Sequence, residues 1–179
     1  DGARLYMMAA ATGIDVKTYS KLFDSVYVSM YKYFGAPFGA ILAGDRSFIE
    51  GMYDDRRMFG SGLASGYMAA ALALNGIDGF IERFASALTK AQSLFESLND
   101  LSNMTIRQFE HGSNIFELTL EPAVDGDRLA ENLLDHGIVL NRPNNEWPEI
   151  LLHVNTTLLR QPNEEITRSF AAALAESTD

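Results

Sequence analysis

A lysine at position 32 closes the run Ser25-Val26-Tyr27-Val28-Ser29-Met30-Tyr31-Lys32, in which Val26 and Val28 alternate with Ser25, Tyr27 and Ser29. Such alternation with β-branched residues reads as a strand, and a strand this apolar is expected to be buried. Lys32 then stands at the strand's carboxyl end, flanked by Tyr31 and Tyr33 and followed by Gly35-Ala36-Pro37. In open α/β sheets that edge is where ligands bind. An amine partly desolvated there is made more nucleophilic by a lowered pKa. Position alone favours a plainer alternative, a lysine whose stem lies on the strand end while its ammonium reaches water. Asp1 and Arg4 are ambiguous in the same way, because Asp-Gly followed by an arginine is more often a turn and helix cap than a site. The chain has no cysteine, which excludes disulfides, thiolate nucleophiles and cysteine-based metal sites. His111, His136 and His153 show no zinc-ligand spacing, so no metal is expected.

The elements that must position these groups follow from pattern. Residues 5–11 (LYMMAAA) have good helix composition, and Gly13 ends that helix. Residues 23–29 and 37–43 read as two strands, and the connection between them is too short for a helical crossover, so they are expected to be antiparallel. Residues 46–57 read as one helix and 64–74 as a small-residue helix, with Gly76 breaking the chain. Residues 77–98 carry apolar side chains at the spacing of one long amphipathic helix. A domain junction is placed inside or beside it, giving a first domain over 1–75 and a second over 76–179. In the second, strands are expected over 104–108, 115–120, 138–140 and 150–154. A helix started by Asp125 runs to 136, and a closing helix runs over 162–176 with Pro162 at its start.

Composition narrows the classes. Of 179 residues, 47% are hydrophobic and 21% charged, which suits one large globular domain or two small ones. A net charge of −10 leaves no basic stripe to neutralise phosphates, so nucleic acid is not an expected partner. The longest apolar runs fall short of the roughly 20 residues needed to cross a bilayer, and no membrane partner is expected. The chain opens at Asp1, without a methionine and directly on a motif, so an N-terminal half is expected to lie outside it.

What moves the odds for Lys32 is the combination of Asp1-Gly2-Ala3-Arg4, a helix, a strand, and then Lys32 with its Gly-Ala-Pro turn. This pattern resembles the aromatic amino acid β-eliminating lyase and threonine aldolase family of fold type I pyridoxal-phosphate enzymes. The matching blocks are Asp1 to Arg4 and Phe23 to Lys32, extended by Gly35-Ala36-Pro37, Gly39-Ala40, Gly44 and Gly60-Ser61-Gly62. The match is strong to about Leu74 and general beyond it. The resemblance implies an α/β fold: the C-terminal part of the pyridoxal-phosphate-binding large domain, a mostly parallel sheet with helices, followed by a small α+β domain. It also implies that Lys32 forms the imine with the cofactor aldehyde, that Asp1 partners the ring nitrogen, and that Arg4 sits near the ring 3-oxygen. The implied reaction cleaves the Cα–Cβ bond of a β-hydroxy-α-amino acid to glycine and an aldehyde. A homodimer or homotetramer with shared active sites, in the cytoplasm, is implied as well.

The chain departs from that pattern at two places. Ala64 stands where many members carry an arginine after the glycine-rich loop, and the strand over 150–154 has no arginine in register for a substrate carboxylate. Arg160 is the nearest substitute. Arginine is the residue best suited to grip a carboxylate in two-point fashion, so threonine itself is in doubt as the substrate. Another fold type I activity, β-eliminating lyase or aminotransferase, and a non-catalytic fragment or paralogue stand as alternatives. Arg56 and Arg57 read as a solvated helix end beside Asp54 and Asp55. His153 reads as a strand histidine, and Trp147 as packing.

Overall fold

The computed structural model describes residues 1–60, 62, 64–142 and 150–178. Two compact units divide the chain, Asp1–Arg83 and Phe84–Asp179, so the boundary falls inside one helix.

In the first unit, α1 (Leu5–Thr12) ends where expected: Gly13 adopts φ 71°, and its N–H bonds to the Ala9 carbonyl at 2.8 Å. That left-handed stop is the conformation glycine reaches without a Cβ penalty. A short helix that the sequence pattern did not signal, α2 (Val16–Ser20), follows; the Asp15 carboxylate caps it by accepting from Lys17 N at 2.7 Å. Strand β1 (Ser25–Ser29) pairs antiparallel with β2 (Ala40–Gly44) in the register Ser25↔Gly44 to Ser29↔Ala40. The expected burial holds only at the carboxyl end of β1, at Val28 and Ser29, whereas β2 is exposed throughout. Among the described residues this ladder has two strands and no parallel pair.

The single helix expected over 46–57 is two, α3 (Arg46–Ile49) and α4 (Met52–Met58), because Gly51 turns the backbone to φ 92° between them. The next helix, α5 (Gly66–Ile77), runs through Gly76 rather than stopping at it. Its last carbonyls are met from outside: Arg83 Nη2 donates to Gly76 O at 2.7 Å and Nη1 donates to Asp78 O. The buried core of this unit includes Met7, Val28, Met30, Phe34, Ala69, Ala73 and Phe80.

Helix α6 (Phe80–Asn99) carries the boundary between the units. In the second unit, Ala87, Ala91, Leu94 and Leu98 are buried along one face of it, the stripe that 3.6-residue periodicity requires. That stripe shares a core with a three-stranded antiparallel sheet in the order β3 (Met104–Gln108), β4 (Ile115–Leu120), β5 (Ile150–His153). The buried residues of β3 (Met104, Ile106) and β4 (Phe116, Leu118) alternate with more exposed ones, and Phe95 meets Phe116 edge-on at 4.7 Å. Helix α7 (Gly126–Asp135) is capped by Asp125, whose Oδ1 accepts from Asp127 N and Arg128 N. Helix α8 (Asn163–Glu176) follows Pro162. Residues 138–140, expected to form a strand, join no ladder, and a 3-10 turn forms over Thr156–Arg160. No described helix is long and apolar enough to cross a membrane.

Candidate functional site

The opening segment is fastened to the strand that leads to Lys32. Gly2 N–H donates to the carbonyl of Tyr27, in the middle of β1, at 2.6 Å. A Cβ on residue 2 would meet Tyr27 O at 2.9 Å, Val26 Cγ1 at 3.1 Å and Val28 Cγ2 at 3.3 Å. Only a residue without a side chain lies this close to a strand, which is why Gly follows Asp1 here. Asp1 is exposed; its Oδ1 accepts from Ala3 N at 2.9 Å, an Asx-type turn that holds the carboxylate over the start of α1. Its Oδ2 has no hydrogen-bond partner among the described residues. Arg4 is exposed, immediately precedes α1, and pairs with no carboxylate among the described residues.

Lys32 lies in the turn after β1, exposed, with its Nζ 6.0 Å from the centroid of the Tyr31 ring. It makes no ion pair among the described residues. It stands five positions beyond Tyr27, so the chain can carry it no further than about 18 Å from the point where the Asp1 segment is tied. The structure therefore brings the Asp1 segment and Lys32 to one strand.

Packing fixes this turn from below. Phe34, 3% exposed, meets Tyr6 of α1 edge-on at 5.1 Å and Phe80 of α6 at 4.9 Å. Edge-to-face pairs of this kind add about 0.5–1.5 kcal/mol each beyond their buried area. The helix that follows Asp1 and Arg4 and the turn that holds Lys32 thus share one aromatic cluster. Helix α5 closes on the same point: a Cβ at Gly76 would sit 2.0 Å from Phe34 O. Sequence reasoning took Gly76 for a helix breaker. Its use here, to let a helix touch a backbone two residues from Lys32, depends on which segment lies opposite, and sequence pattern does not report that.

A second feature was also missed. Ser29, the last residue of β1, is 1% exposed, and its Oγ has no hydrogen-bond partner among the described residues. Buried polar atoms are nearly always paired. Nothing in the type or spacing of a strand serine signals such an orphan.

Arg160 belongs to the second unit. It is exposed at the end of the 3-10 turn, forms no ion pair among the described residues, and lines a cavity of about 660 Å³. His153, Asn155, Asn141 and Gln161 supply polar groups to the same cavity, over an apolar floor that includes Leu94 and Phe170. His153 ends β5, paired with Ile115. Arg56 and Arg57 are exposed on α4 and stack over Tyr53, with guanidinium carbons 5.4 and 5.6 Å from its ring centroid. Trp147, Ser61 and Leu63 lie outside the described residues.

Residues 1–121 match the family of beta-eliminating lyases. The low-specificity L-threonine aldolase 1 of Arabidopsis thaliana is 30% identical over 159 residues, 88% of this chain and 44% of the relative. Among solved structures, a candidate L-allo-threonine aldolase from Listeria monocytogenes superposes with a TM-score of 0.76 at 26% identity, over 97% of this chain and 51% of its own. A candidate aromatic amino acid beta-eliminating lyase/threonine aldolase from Exiguobacterium gives 0.77 at 24% identity, covering 98% and 51%. The chain therefore spans about half the length of the relatives it matches. Its fold is the α/β fold they share.

Proposed function

The chain belongs to the beta-eliminating lyase family, and on that premise we propose that it carries the cofactor-anchoring part of a pyridoxal-phosphate-dependent carbon–carbon lyase. Its substrate is a β-hydroxy-α-amino acid, cleaved between Cα and Cβ to glycine and an aldehyde. The observation that carries this reading is the tether of the Asp1 segment to β1, the strand whose next turn presents Lys32. When bound, pyridoxal phosphate supplies an electron sink for the pair of electrons left on Cα.

The residues present fit that group by the chemistry of their donors. Lys32 offers an exposed amine with no ion pair among the described residues, able to attack an aldehyde. Asp1 offers Oδ2 to the ring N–H, while the bond from Ala3 N to Oδ1 holds the carboxylate in orientation. Arg4 offers to the ring 3-oxygen a guanidinium that pairs with no carboxylate among the described residues. Arg160 is assigned to the substrate carboxylate, supported by its place at a cavity lined with polar groups and by its forming no ion pair among the described residues. Tyr67, Met68, Leu72 and Leu74 are exposed on α5, an apolar surface that supports assembly into a homodimer or homotetramer. Cytoplasmic location belongs to the same reading.

The test uses the full chain incubated with pyridoxal phosphate. The wild type should gain a visible absorbance band and a borohydride-fixed label on Lys32, and Lys32→Ala should show neither. An intact band in Lys32→Ala would remove the anchor assignment. Incubation with threonine and allo-threonine should release glycine and aldehyde; transfer of the amino group to a keto acid without aldehyde would place the chemistry with aminotransferases instead.

A further inference from the structure

We infer that Asn114 is the residue that sets Arg160 in place: it fastens Val154, where β5 gives way to the segment that carries Arg160 to the cavity of the second unit. The inference rests on the assignment of Arg160 to the substrate carboxylate and adds a positioning residue to it.

Asn114 directly precedes β4 and is 2% exposed. A polar side chain so buried is expected to be bonded, and its amide is bonded to Val154. Val154 N–H donates to Asn114 O at 2.8 Å, and Asn114 Nδ2 donates to Val154 O at 3.1 Å. The first bond continues the β4–β5 ladder beyond its Ile115↔His153 pair. The second puts a side-chain amide where an antiparallel ladder would use the backbone N–H of the opposing residue. Ser113 Oγ donates to Asn114 Oδ1 at 3.2 Å and so helps to orient that amide. Val154 is thus clamped from both sides of its peptide.

Beyond Val154 the segment is stiffened from within. Asn155 Oδ1 accepts from Thr157 N at 2.8 Å and from Thr157 Oγ1 at 2.5 Å, and Leu158 N–H donates to Asn155 O at 3.1 Å. These bonds start the 3-10 turn that ends at Arg160. The far end is tied as well, because Lys90 Nζ on α6 donates to Gln161 O. A short turn braced in this way moves as a unit, so the place of Arg160 follows from where its two ends are held. His153, Asn155, Thr157, Arg160 and Gln161 line the cavity, and the clamped residue stands among them. Two-point recognition of a carboxylate needs the guanidinium in register with both oxygens, and a displacement of about 1 Å removes that register.

The experiment compares wild type, Asn114→Ala, Asn114→Ser, Arg160→Ala and Leu133→Ala in the full chain. It measures the Kd for threonine by calorimetry, the Arg160 Nε–H resonance and the melting temperature. Asn114→Ala should shift the Arg160 resonance and raise Kd roughly tenfold. Asn114→Ser, which keeps a shorter donor, should raise it less. Combined with Arg160→Ala, Asn114→Ala should add no further loss, because both remove one contact. Leu133→Ala, buried on α7 and outside the cavity lining, should melt lower yet bind threonine within about twofold of wild type. An unchanged Kd in Asn114→Ala, with Arg160→Ala weakened, overturns this inference alone, as do losses that add in the double variant. Equal weakening in Leu133→Ala overturns it too, by showing general loosening. Should Asn114→Ala not fold, Asn114→Ser decides by the same comparison. A wild type that does not bind threonine, or an Arg160→Ala that binds it equally well, overturns the Arg160 assignment and this inference with it.

Discussion

Replacing Gly76 with alanine tests the claim that α5 and the Lys32 turn are locked by direct contact. A methyl at residue 76 would sit 2.0 Å from Phe34 O, 2.5 Å from its carbonyl carbon and 2.7 Å from its Cα. Restoring ordinary contact, about 3.4 Å, requires a retreat of roughly 1.4 Å. Phe34 has nowhere to retreat, being wedged between Tyr6 and Phe80. Backbone is struck rather than a side-chain tip, so the cost belongs at the upper end of overpacking penalties, about 3 kcal/mol. Alanine's advantage over glycine within a helix returns about 1 kcal/mol. The net loss is about 2 kcal/mol, or a fall in melting temperature of roughly 4–8 °C for a chain of this size. Asn75→Ala, at an exposed neighbour in the same helix, should not melt lower than wild type. Displacement of the turn by about 1 Å should also slow attachment of cofactor to Lys32 by up to roughly a hundred-fold, read by stopped-flow absorbance. A Gly76→Ala protein that melts at or above the wild-type temperature would refute the contact.

Gly2→Ala should loosen the Asp1 segment, because its methyl would meet Tyr27 O at 2.9 Å and Val26 Cγ1 at 3.1 Å; losing one hydrogen bond's worth of positioning should weaken cofactor retention roughly tenfold, measured by dialysis, and full retention would contradict the tether. Asn99→Ala removes a side chain that pairs both ways with the backbone of Ile106, donating to its carbonyl at 3.1 Å and accepting from its N–H at 2.7 Å. Two such bonds should cost about 2–3 kcal/mol in urea unfolding, and a loss below about 0.5 kcal/mol would show that water replaces them. Leu133→Ala, at a fully buried position of α7, should cost about 2–5 kcal/mol in the same assay; a smaller cost would mean that the core of the second unit closes over the cavity.

Much of the secondary structure was legible because its causes are local. Gly13 ends α1 and Asp125 starts α7 through bonds made within four residues, and such signals are carried by residue type alone. Strands β1, β3 and β4 and the stripe on α6 declared themselves by period. Failures came where a glycine has two meanings. Gly51 breaks a helix that was read as continuous, and Gly76 sits inside one that was read as broken. The same residue type serves a positive φ in one place and a close approach in the other, and only the neighbouring segment decides which. Residues 138–140 have strand composition, but strand formation needs a partner edge, and they pair with none among the described residues.

The sequence by itself determined the motif: Asp1 to Arg4, the strand, and Lys32 with its turn, because the order and type of those residues carry the family likeness. Tertiary structure alone decided how they are held. It tied Gly2 to Tyr27, set Phe34 between Tyr6 and Phe80, brought Gly76 against Phe34, and left the Ser29 hydroxyl buried without a partner among the described residues. Apart from the Tyr6–Phe34–Phe80 ring stacking, each of these is a contact with backbone or an unmade bond. Neither leaves a mark in side-chain composition, so no pattern of residues could have announced it.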